Sequence, residues 1–131
     1  MTMKVVVDTS VLEALPDRTE ATVSAFLDAE SEQTVNDIKL SIQEVSIGRM
    51  YGGHIASRPG DAPNIDEGVL INSYTWKHKG SHTRVIMSDD EKAPWLEMGT
   101  ENMLPRPHVG PALERLRERL PRDAKRFRLV K

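Results

Sequence analysis

Residues 18–46 read RTEATVSAFLDAESEQTVNDIKLSIQEVS, and their periodicity decides the fold. Val23, Leu27, Val35, Ile38, Ile42 and Val45 recur at helical spacing, which lines them up on one face of an α-helix. Phe26 and Ala21 widen the stripe, and Ser31 interrupts it. Pro16-Asp17 marks a start: Asp17 can accept from backbone N–H groups of the first turn, and Glu20 follows as in a capping box. The spacing predicts a helix from about Arg18 to about Ser46, on the order of 43 Å long at 1.5 Å per residue. Such a length in a small domain predicts packing along a sheet, with an end reaching a neighbouring subunit. The other face carries Asp28, Glu30, Glu32, Asp37 and Glu44 and reads as a solvated acidic surface.

Upstream, Met3 to Asp8 is Val-rich and reads as a short strand. Downstream, residues 48–68 hold the breakers Gly52-Gly53, Pro59-Gly60 and Pro63 and no periodic pattern. An unstructured run of that length in a small domain often marks an interaction loop. Val69 to Trp76 alternates like a strand and is expected to pair with Thr83 to Ser88 across a turn around Gly80. Ala93 to Met98 reads as a short helical turn ended by Gly99. His108 to Leu120 reads as a closing helix with Val109, Ala112, Leu113, Leu116 and Leu120 on one face. Pro111 sits in its first turn, where a missing N–H costs little, and Pro121 is expected to stop it. Ala124 to Lys131 reads as a terminal strand or an arm. The class is α+β: a long N-terminal helix on a small antiparallel sheet, plus a C-terminal helix.

The 131 residues suit one domain, with 121–131 as a basic C-terminal segment on a core of 1–120. There is no cysteine, which removes disulfide frameworks and Cys-based metal sites. No apolar run has the roughly 18 residues of a membrane span. The N-terminus turns acidic at Asp8, too soon for a signal peptide, so the chain is expected to be made and kept in a cytoplasm, or in something assembled there. The net charge of -2 hides an asymmetry. Residues 115–131 hold eight Lys or Arg and two acids, and residues 1–114 hold ten against eighteen. A basic end reads first as a solvated helix face plus a flexible end, and it also suits nucleic acid or an acidic protein surface.

Constellations with chemistry are weak. His78 and His82 are four apart but flank a predicted turn and lack a third ligand nearby. His54 and His108 have no partner at readable spacing, which leaves polar or capping roles. Asp89-Asp90-Glu91 crowds three carboxylates on what reads as an exposed turn. The glycines match no phosphate-binding spacing, and no Ser-His-Asp set has local support. No cofactor or metal is expected. Trp76, in a strand, reads as core; Trp95, after Pro94, reads equally as a core residue or an interface anchor.

Three blocks carry a resemblance. The first is Ser57-Arg58-Pro59-Gly60-Asp61-Ala62-Pro63, continuing to Gly68-Val69-Leu70-Ile71-Asn72-Ser73. The second is Ala93-Pro94-Trp95-Leu96-Glu97-Met98-Gly99-Thr100. The third runs from Arg106-Pro107-His108 to Pro111-Ala112-Leu113. In order and spacing, over roughly residues 18–120, they resemble the tailed-phage neck or tail-component family named for gene product ten of a lambdoid coliphage. Lys92, Met98 and His108 stand where that family commonly has aromatics, and Pro105 where it has Ala.

The resemblance implies a non-enzymatic virion protein of the same α+β fold, forming a homo-oligomeric ring at the head-to-tail junction. Its expected neighbours are the connector or stopper, the tail terminator and the tail tube, with DNA passing through the lumen without specific binding. Ring closure needs a repeated head-to-tail contact. Pro59 and Gly60 in the 48–68 loop, with Trp95, Leu96, Glu97, Gly99, Thr100, Arg106 and Pro107, are expected to supply much of it. Both segments are expected to gain their order from neighbouring subunits. Glu97 is expected to accept backbone N–H bonds or to pair with Arg106, and the acidic helix face to line the lumen. The alternatives are a tail terminator or tail-completion protein, or a small nucleic-acid-binding protein that uses the basic C-terminus.

Overall fold

A computed structural model describes residues 3–8, 20–43, 48, 50–51, 54–57, 60–63 and 68–127. Along the chain these form β1 (Met3–Asp8), α1 (Glu20–Gln43), β2 (Met50–Tyr51), β3 (His54–Ile55), α2 (Val69–Ser73), β4 (Tyr74–His78), β5 (Thr83–Ser88), α3 (Lys92–Met98) and α4 (Gly110–Arg126). The architecture is α+β: α1 lies on a three-stranded antiparallel sheet of order β1-β5-β4, and α4 packs beside α1.

The register explains which side chains meet α1. Val5, Ile86 and Trp76 stand opposite one another, as do Met3, Ser88 and Tyr74. Because side chains alternate across a strand, these share one face with Arg84 and His78. That face meets Val35, Ile38 and Ile42 of α1, and Ile71, Ala93, Val109 and Ala112 close the core. A second cluster of Val23, Phe26 and Leu27 packs against Leu120 and Ala124 of α4. The expected α1 stripe is thus the buried one, and Ser31, Thr34 and Ser41 are buried along it. Thr34 and Ser41 satisfy their hydroxyls on the carbonyls of Glu30 and Asp37, one turn back. Ala21 is exposed, and the capping box at Asp17, with Glu44 and Val45, lies outside the described residues.

The opposite, acidic face of α1 is only in part the solvated surface that composition suggests: Glu32 is exposed and Asp28 half-buried. Glu30 and Asp37 are buried against Arg119 of α4, with N–O distances of 2.7 and 3.0 Å. Asp28 accepts from Arg84 Nε at 2.6 Å, and Glu32 accepts from Trp76 Nε1 at 2.6 Å. Four of its acids are therefore committed to holding α1 on its neighbours and do not form a free lumen-facing field. Trp76 itself is half-buried at the edge of the core and stacks on His78, its ring centroids 5.8 Å away. It sits on edge strand β4, so its indole N–H reaches a carboxylate at the rim.

Three boundaries differ from the periodicity reading. Residues Val69–Ser73 are helical, and the strand starts only at Tyr74. The cause is non-local: β5 ends at Ser88, which already pairs with Tyr74, so residues before Tyr74 have no strand to join. Ser73 Oγ instead bonds to Leu70 O and Ser88 Oγ, each at 2.6 Å. The 48–68 segment holds the small hairpin β2-β3, in which Met50 faces Ile55. Finally, α4 runs through Pro121 to Arg126. Pro121 is exposed, so water can satisfy the carbonyl it leaves unpaired. Packing of Leu120, Ala124 and Asp123 on α1 outweighs the local penalty. Ala124–Arg126 is accordingly helix and not a strand; residues 128–131 lie outside the described set.

Candidate functional site

The segment from α3 to the start of α4 is built around Glu97. Its Oε2 accepts from the backbone N–H groups of His108 (2.8 Å) and Val109 (2.9 Å), and its Oε1 from Gly110 (2.7 Å). The first N–H groups of a helix have no partner within it, and no side chain at Val109 caps α4. Glu97 supplies that cap from another helix, and its negative charge suits the positive end of the α4 dipole. Of the two roles expected for Glu97, acceptance of backbone N–H bonds is the one present. Arg106 turns elsewhere: its Nε and Nη2 both donate to Ser57 O at 3.4 Å.

His108 is fully buried beneath this clamp. Its Nδ1 lies 3.0 Å from Arg106 O and 3.2 Å from Glu97 Oε2, both acceptors, so Nδ1 carries the proton. Nε2 then accepts from the Tyr74 hydroxyl. Burial holds the imidazole below its ordinary value, against the Arg106 carbonyl and Glu97, which raise it. The Tyr74 hydroxyl is pushed well above its usual range by burial first, then by Glu97 and Asp90. A carboxylate, an imidazole and a phenol in a row can relay protons, but here Glu97 spends its oxygens on backbone and the other two groups are buried. The arrangement ties α3 to the start of α4.

One pH effect follows. Because the folded His108 pKa is lowered, the unfolded chain takes a proton that the folded chain refuses. This contribution is whole above about pH 6.5 and declines as pH falls toward the folded value. We expect the His108 ring to titrate below about 6.5 by NMR, with unfolding midpoints dropping over the same interval. A ring midpoint at or above that value would contradict the burial argument.

The rest of the loop is fastened to the same chain. Arg106 N donates to Leu96 O at 2.6 Å, Gly60 N to Pro105 O at 2.9 Å, and Thr100 pairs with Met103 through N–O distances of 2.8 and 3.3 Å. Gly99 ends α3 at φ 78° with its N–H on Trp95 O, and a Cβ there would stand 2.8 Å from Met103 O. Gly99→Ala should therefore cost about 2 kcal/mol, from the positive φ and the clash, read as a lower urea midpoint. An unchanged midpoint would mean that the loop is loose. Within the chain, Glu97, Leu96, Pro105 and Ser57 already fasten this segment. Pro59 lies outside the described residues, and Pro107 is half-buried.

This pinned loop presents apolar groups to solvent: Trp95 is 52% exposed, Met98 69% and Leu104 65%. The Asp89–Glu91 turn divides its labour, since Asp90 is buried and its Oδ1 accepts from Lys92 N at 2.9 Å, while Asp89 and Glu91 are exposed. Sequence reasoning missed two buried networks: Arg119 with Glu30 and Asp37, and Arg84 with Asp28 and Ser24. A signal existed in the polar residues Ser31, Thr34 and Ser41 flanking the apolar stripe of α1. Among the described residues no group of three or more His, Asp or Glu could hold a metal, and no helix is long and apolar enough to cross a membrane. No family model, curated protein or solved structure matches the chain.

Proposed function

We propose that this protein is a structural component of a tailed-phage virion, forming a homo-oligomeric ring in the neck between the connector or stopper and the tail terminator or tube. The observation that carries it is the exposed Trp95 and Met98 of α3 and Leu104 beyond it, on a segment that Glu97 fastens to the start of α4. A preformed apolar knob loses little entropy on docking, and Trp is the residue type most often dominant at interfaces. The three-block resemblance supplies the phage setting. DNA passes through the lumen without specific binding in this reading, repelled by the net negative body rather than by α1, whose acids are mostly paired.

The test is made on particles. The chain should be found by mass spectrometry and antibody labelling at the head-to-tail junction, and its deletion should leave heads and tails unjoined. Trp95→Asp should keep an unfolding free energy within about 0.5 kcal/mol of wild type, because the residue is 52% exposed, yet be lost from particles. A chain abundant in lysates but absent from particles would refute the proposal.

A further inference from the structure

The two ends of α4 carry opposite surfaces. Its first residue is held by Glu97, beside the Trp95–Leu104 knob. Around that knob, residues 89–101 contain five acids and one Lys, of which Asp89, Glu91 and Glu101 are exposed. At its other end, Phe127 packs edge-on against Phe26 of α1 with ring centroids 5.4 Å apart. Between them α4 spans 17 residues, about 25 Å. Residues 117–126 contain five Lys or Arg and two acids.

The basic end opens as a cleft of about 460 Å³ between α1 and α4. Ala29 and Phe127 give it apolar walls, and Arg122 and Arg126 stand exposed on its rim. Its acids are already engaged: Glu30 is bound to Arg119 at 2.7 Å, and Asp123 lies 3.5 Å from both Arg119 and Arg122. The lining holds three arginines against two acids, with exposed Arg126 standing beyond the Arg122–Asp123 pair, so the rim is weakly cationic, while the knob is apolar and anionic.

We infer that the two surfaces are complementary halves of one contact: the Trp95–Leu104 knob of one copy seats in the α1–α4 cleft of the next. The occupant is a second copy of this chain. Charge complementarity selects it, because Asp89, Glu91 and Glu101 would face Arg122 and Arg126, and guanidinium groups stack well on an indole. With the halves at opposite ends of α4, each copy keeps a knob and a cleft free for further neighbours. Such a contact is heterologous and builds rings or filaments. This inference rests on the ring reading and specifies the contact within it.

The absence of cysteine makes the test direct. Met98→Cys and Ala29→Cys place thiols on the knob and on the cleft wall, both at exposed positions. Under mild oxidation, applied to concentrated chain and to purified particles, the double variant should give a ladder of linked species beyond the dimer. A mixture of the two single variants should stop at dimers. The ladder should weaken at least tenfold in 1 M salt, where the Debye length is about 3 Å. Arg122→Glu should suppress it, and adding Glu101→Arg should restore it.

A double variant that stops at the dimer, or Met98→Cys linking to itself, overturns the inference, because the contact would then be isologous. Oligomers that scatter light but carry no link between positions 98 and 29 overturn the contact and leave the ring reading standing. A chain that forms no oligomer and is missing from particles overturns both. Retention on duplex DNA that Arg122→Glu abolishes, with no ladder, would assign the rim to nucleic acid and overturn the inference.

Discussion

Arg119→Met is expected to cost about 3–5 kcal/mol of folding stability at neutral pH, a large share of the roughly 5–15 kcal/mol that holds a domain together. Arg119 Nε and Nη1 neutralise Glu30 and Asp37 at 2.7 and 3.0 Å, and Nη2 donates to Thr34 Oγ1 at 3.1 Å. Methionine can fill the space but leaves two buried carboxylates without the cation that neutralises them. The loss should depend on pH in a defined direction. Burial raises the Glu30 pKa, and its carboxyl shares a hydrogen bond with that of Asp123, whose own pKa this bond lowers. With Arg119 gone, Glu30 moves further up, so the folded chain holds a proton that the unfolded chain releases. Stability is then greatest below the ordinary Glu value, near pH 4.3, and falls as pH rises through the raised folded value. Urea midpoints of wild type and variant should accordingly lie closer together at pH 5 than at pH 7.5. Adding Glu30→Gln should recover part of the loss at neutral pH. Equal midpoints for wild type and Arg119→Met would show that the network contributes nothing.

Glu97→Ala should lose about 3 kcal/mol, because it strands three N–H donors at the start of α4, each costing on the order of 1 kcal/mol when left without an acceptor. Glu97→Gln keeps one amide oxygen and should fall between alanine and wild type. The damage should be local before it is global. Amide exchange should accelerate first at His108, Val109 and Gly110, whose N–H groups the carboxylate holds at 2.7–2.9 Å. The fluorescence of Trp95, two residues from Glu97 in α3, should report the same loosening. Uniform exchange across the chain would remove the clamp from the account. In the proposed ring, Glu97→Gln should weaken assembly more than it weakens folding, since the knob depends on a rigid base.

Much of this architecture was legible in the chain. The α1 stripe, the strands Met3–Asp8 and Thr83–Ser88, the short helix ended by Gly99 and the Pro111 start of the last helix all follow from local periodicity and backbone chemistry. The acceptance of backbone N–H bonds by Glu97 is one of the two roles expected of it alongside the resemblance. The errors share one cause. Val69–Ser73 alternates like a strand, yet a strand needs a partner, and β5 ends at Ser88. Pro121 breaks isolated helices, yet here the turn beyond it is held by Leu120 and Ala124 on Phe26 and Leu27. The acids of α1 look like a solvated face because their cationic partner lies more than eighty residues away in sequence.

The sequence by itself determined the α1 helix, the strands Met3–Asp8 and Thr83–Ser88 and the start of α4, which face of α1 is apolar, and that the charge is split between an acidic body and a basic end. These are properties of neighbouring residues, set by side-chain spacing and backbone torsions. Only the tertiary structure decided that the α1 acids turn inward onto Arg119, that Glu97 caps α4, and that the loop bearing Trp95 is ordered within one chain. Each depends on groups brought together from distant positions, where burial makes an unpaired charge or N–H costly enough to select a single arrangement.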